Sequence, residues 1–63
     1  MNTPLQIEIL TLVKDEYMTC DDIAFELKRH RMHIGNSVKA LVKKGELRAW
    51  YNYPDNPKYI SII

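Results

Sequence analysis

The chain has 63 residues, with nine Lys and Arg against eight Asp and Glu and a net charge of +1. A chain this short makes one domain with a small core, near the lower limit for folding without disulfides or metal. Its single cysteine, Cys20, cannot close an internal disulfide, which sets aside the stapled, secreted mini-proteins and leaves a small half-buried side chain as its expected role.

The amino terminus lacks the basic region and continuous apolar core of a signal peptide. Uninterrupted apolar runs reach only three residues, as in Ile23-Ala24-Phe25 and Ala40-Leu41-Val42, far short of a membrane span. A cytoplasmic protein without membrane contact is expected. The charges are unevenly spread. Residues 1–27 carry Glu8, Asp15, Glu16, Asp21, Asp22 and Glu26 against Lys14, a net −5. Residues 28–63 carry Lys28, Arg29, Arg31, Lys39, Lys43, Lys44, Arg48 and Lys58 against Glu46 and Asp55, a net +6. That asymmetry points to a polyanionic partner for the basic half.

Thr3-Pro4 reads as a helix start, a hydroxyl at the N-cap and proline at the first helical position, where its missing N–H costs nothing. Leu5, Ile9, Leu12 and Val13 follow at helical spacing and predict a first helix over about residues 4–15. Glu16-Tyr17-Met18 is too short and mixed to continue it and is expected to extend as a small edge strand. Thr19 opens a second helix, with Asp22 three residues on as a variant capping box and the acids at the positive end of the helix dipole. Ile23, Ala24 and Leu27 form its buried stripe; Phe25 falls off that stripe, either packing on the first helix or facing solvent.

After the turn at Lys28-Arg29-His30, a third helix is expected from near Arg31 to Lys43-Lys44-Gly45, where cations and glycine make a stop. At about 100° per residue, Val38, Leu41 and Gly45 fall within about 40° of Ile34. His33, Asn36, Ala40 and Lys43 project from the opposite half, with Met32 and Lys39 on one shoulder. Gly35 inside this helix costs roughly 1 kcal/mol relative to alanine. Either something approaches the backbone closely there, the preferred explanation, or the helix starts later, capped by Asn36. Leu47–Tyr51 and Tyr59–Ile63 then alternate as two strands around Tyr-Pro-Asp-Asn-Pro, a turn whose prolines cannot stay in a ladder. Three helices closed by a hairpin make an α+β unit.

The ordered set Thr19, Ile23-Ala24, Leu27, Ile34, Val38, Leu41, Gly45, Leu47 resembles a winged helix-turn-helix domain, and the likeness covers nearly all of the chain. Two positions depart from that pattern: a usually apolar turn position is Arg29, and the usual hydroxyl cap of the third helix is His30. The resemblance implies a single domain, residues 1–63, with three helices and a C-terminal two-stranded β-hairpin wing. It implies duplex DNA binding by a small bacterial or phage transcriptional regulator, the third helix in the major groove and the wing on the backbone. Arg31, His33, Asn36, Lys39 and Lys43 would then face the duplex. Arg31 and Asn36 are the candidates for base readout, and Lys39, Lys43, Arg48 and Lys58 for phosphate contacts. Operators usually hold two half-sites, so a homodimer or cooperative assembly is expected.

No catalytic constellation is present: no phosphate loop, no elbow serine, no His-Glu-x-x-His. His30, His33 and Cys20 supply three ligands where structural zinc usually takes four, so no metal, cofactor or small-molecule substrate is expected. Trp50, Tyr51, Tyr53 and Tyr59 crowd one short hairpin. Tyr51 and Tyr59 are expected to cap the core, while Trp50 and Tyr53 are harder to hide. Those two are the candidate interface of a second possibility, a winged helix used for protein interaction or dimerisation without DNA.

Overall fold

The structure is a computed structural model that describes residues 2–51 and 57–63. Its elements are α1 (Pro4–Leu12), β1 (Met18–Thr19), α2 (Cys20–Leu27), α3 (Arg31–Lys43), β2 (Leu47–Trp50) and β3 (Lys58–Ser61). Three helices pack on a three-stranded antiparallel sheet of order β1-β3-β2. Among the described residues, no helix is long and apolar enough to cross a membrane.

Two capping boxes set the first two helices. The Thr3 hydroxyl accepts from the Gln6 N–H (3.2 Å) while the Gln6 side chain accepts from the Thr3 N–H (3.0 Å). Thr19 and Asp22 repeat the exchange at the start of α2, at 3.1 and 3.4 Å. Each box satisfies amide donors that a helix start otherwise leaves unpaired.

α2 and α3 end alike. Lys28 takes the left-handed conformation (φ 55°), with its N–H bonded to Phe25 O and the Arg29 N–H to Ala24 O. Gly45 (φ 79°) does the same after α3, with its N–H on Val42 O and the Glu46 N–H on Leu41 O. Both are Schellman closures, which reuse the last carbonyls and turn the chain sharply.

The core is Ile9, Val13, Met18, Ile23, Ile34, Val38, Leu41 and Leu47. α3 contributes three of these, Ile34, Val38 and Leu41, at the spacing that keeps one face inward. Each buried side chain of this size is worth about 1.5–3 kcal/mol against exposure.

Several expectations need correction. α1 stops at Leu12 rather than near residue 15: the Val13 N–H closes the last turn on Ile9 O, and Val13 O accepts from the Ser61 N–H, so the chain turns toward the sheet. The C-terminal strands are not a two-stranded unit. β1 joins them, placing Met18 opposite Tyr59 and Thr19 opposite Lys58, and β3 becomes the central strand. That small edge strand is Met18–Thr19 rather than residues 16–18, and β3 ends at Ser61. Of the two alternatives for Phe25, exposure holds: it is 81% exposed. Gly35 lies inside a helix that begins at Arg31, and nothing in the chain comes within 4 Å of where its Cβ would be, so neither explanation offered for it holds within the isolated chain. The proline turn, Tyr53 included, lies outside the described residues apart from Pro57.

Candidate nucleic-acid interface

The rotation of α3 is fixed from both sides. Its core residues hold the inner face, and the turn before it is locked by the Schellman closure at Lys28 and by His30. The His30 Nδ1 accepts from the Met32 N–H at 3.1 Å, so an imidazole does the capping expected of a hydroxyl. That acceptor exists only on the neutral ring.

With the inner face held, the opposite shoulder of α3 opens onto a cleft of about 600 Å³. One wall is the helix, carrying Arg31, Met32, Gly35, Asn36, Lys39, Val42 and Lys43; Tyr51, Tyr59 and Cys20 line the rest. The sheet register explains the tyrosines. Tyr59 stands opposite Ala49 and Met18, two positions along from the Leu47–Ser61 pair, and therefore projects from the helix-packed face. It packs partly against the core. Tyr51, expected beside it in the core, follows the end of β2 and is 66% exposed at the mouth of the cleft. Only one of the two rings has helix surface to pack on.

Cys20 and Tyr59 form the inner end of the cleft. Burial pushes the Cys20 thiol above its ordinary range; the Arg31 guanidinium opposes that shift and Asp21 adds to it. Burial also raises the Tyr59 phenol, with Cys20 and Tyr51 adding to the shift. Both groups are neutral at physiological pH, and the thiol is correspondingly unreactive. The cleft thus has an uncharged inner end and a cationic rim.

Arg31, Asn36, Lys39 and Lys43 are all exposed and are brought together on this shoulder. Among the described residues only Arg31 has an ionic partner there, the Asp21 carboxylate at the start of α2. Both groups are more than half exposed, so the pair is worth no more than about 1 kcal/mol. His33 does not join this group; it sits on the other flank, its ring edge-on to that of His30 at 5.9 Å. Arg48 and Lys58 lie on the outer face of the sheet, Arg48 opposite Ile60 and Lys58 opposite Trp50. Trp50 is 48% exposed and meets Tyr17 with ring centroids 5.7 Å apart. Arg48 and Lys58 therefore share a sheet face with Trp50 and do not line the cleft beside α3.

Tyr17, Asp21 and the inner end of the cleft were not legible as site features. Each depends on β1 pairing with β3 or on α2 meeting α3 at its start, contacts that no local spacing encodes. No known protein family, curated protein or solved structure matches the chain.

Proposed function

We propose that the chain is a winged helix-turn-helix protein that binds duplex DNA and acts as a transcriptional regulator in the cytoplasm, with α3 in the major groove and the β2–β3 hairpin beside the backbone. One observation carries this. α3 presents Asn36, Lys39 and Lys43 together on a solvent-facing shoulder, has no acidic residue along its length, and cannot rotate away because Ile34, Val38 and Leu41 hold it in the core. A helix about 10–12 Å across fits a major groove about 12 Å wide. The element order, a helix pair joined by a tight turn and followed by two strands, is compatible with the winged architecture.

On this reading Asn36 reads adenine through its amide, Arg31 contacts guanine when it leaves Asp21, and Lys39 and Lys43 neutralise phosphates. Arg48 and Lys58 meet the backbone from the hairpin, and His33 contacts a flanking phosphate. NMR titration with a mixed-sequence duplex tests this. Shifts clustered at residues 31–43 and 48–58 that fade as salt rises support it; unchanged spectra at low salt refute it.

The Tyr17–Trp50 pair favours a second reading, in which the outer sheet face serves a protein partner or a second copy, because exposed paired aromatics are enriched at such interfaces. Trp50→Ala separates the two roles. Loss of self-association with duplex binding retained assigns the aromatic face to protein contact and α3 to DNA.

A further inference from the structure

The α3 shoulder holds more apolar surface than phosphate binding requires. Met32 is 66% exposed and Val42 is 37% exposed. Gly35 lies one turn after Met32 on this shoulder, and one turn from each of Arg31 and Lys39, with open space where a Cβ would stand. The bare backbone there leaves a shallow recess beside the Met32 thioether. Asn36 follows directly, its amide free of any partner among the described residues. Arg31, the group suited to guanine, is instead turned back onto Asp21.

We infer that α3 selects A·T base pairs, the thymine 5-methyl entering the recess at Gly35 beside Met32 and the neighbouring adenine taking both hydrogen bonds of Asn36; this rests on the duplex reading above. The chemistry is matched on each side. Of the four bases only thymine offers an apolar group in the major groove, and a side-chain amide pairs with the N6 and N7 of adenine. A glycine at the centre of the face lets the methyl reach the helix backbone, which any side chain there would prevent. The Arg31–Asp21 pair competes with guanine contact and so weakens G·C sites without affecting A·T sites.

Three duplexes of equal length, with A·T, G·C and A·U cores, separate the contributions, since uracil differs from thymine only by the methyl group. Fluorescence anisotropy at a single salt concentration is expected to rank them A·T, A·U, G·C, with A·T over G·C on the order of tenfold. Gly35→Ala should abolish the A·T advantage over A·U, and Asn36→Ala should lower A·T and A·U alike. Thermal melts confirm that both variants fold. Equal affinity for A·T and A·U, or for A·T and G·C, overturns the assignment while leaving duplex binding intact. No affinity for any of the three overturns duplex binding and the assignment with it.

Discussion

Gly35 and Gly45 make opposite demands on the chain although neither has a neighbour within 4 Å of a would-be Cβ. Gly35 sits in a regular helix, where glycine costs about 1 kcal/mol relative to alanine through lost backbone entropy. Gly45 has φ 79°, where an L-residue is strained by roughly 1–2 kcal/mol. Chemical denaturation should therefore show Gly35→Ala stabilised by about 1 kcal/mol and Gly45→Ala destabilised by a similar amount. If both shift stability in the same direction, then either Gly35 is not inside a regular helix or Gly45 does not close α3 in the left-handed conformation. A stabilising substitution that weakens A·T recognition would mark Gly35 as kept for binding rather than for folding. The sequence announces the two glycines differently. Lys-Lys-Gly-x-Leu identifies Gly45 as a stop, whereas the cost of Gly35 is evident but its use is not, because the open space beside it belongs to the folded shoulder and not to any local spacing.

At the scale of elements, α2 is the support on which α3 is aimed. It has only eight residues, too few to persist alone, and depends on its caps and its packing. Thr19 both ends β1 and caps α2, so its side-chain oxygen ties the sheet edge to the helix that precedes α3. Thr19→Ala removes the acceptor for the Asp22 N–H in a largely buried setting and should cost about 1–2 kcal/mol, read from the urea midpoint with unchanged slope. Thr19→Ser keeps the hydroxyl and should recover most of that loss; failure to do so would assign the effect to the threonine methyl in the core. This cap is legible from the sequence because its partners are three residues apart. The pairing of β1 with β3 is not, since two residues on an edge carry no pattern and their partner lies about forty positions away. The turn signal at the prolines correctly separates two strands but says nothing of which becomes central.

At the scale of the whole molecule, charge and shape act together. The six acids of residues 1–27 lie on the first two helices and the loop between them, while the cations proposed to contact DNA lie on α3 and the last two strands. On the duplex reading, the cationic half of the chain draws the polyanion in before any contact forms, with Asp21, paired to Arg31, the acid that stands at the cationic shoulder.

The same charge arrangement sets a limit on how strongly salt can act. If Lys39, Lys43, Arg48 and Lys58 each neutralise one phosphate, the slope of log K against log salt approaches about −3.6, which is roughly 150-fold in affinity between 50 and 200 mM. A duplex bound through α3 alone loses the two strand contributions and gives a slope nearer about −1.8. Lys39→Ala with Lys43→Ala should reduce the slope by about two in magnitude and weaken A·T and G·C duplexes equally, because phosphate contacts carry no sequence information. Arg48→Ala should reduce it by about one, again without altering preference. An unchanged slope in the double variant would remove α3 from the interface, and an unchanged slope in Arg48→Ala would confine DNA to the helix and leave the outer sheet face, with Tyr17 and Trp50, available to another partner.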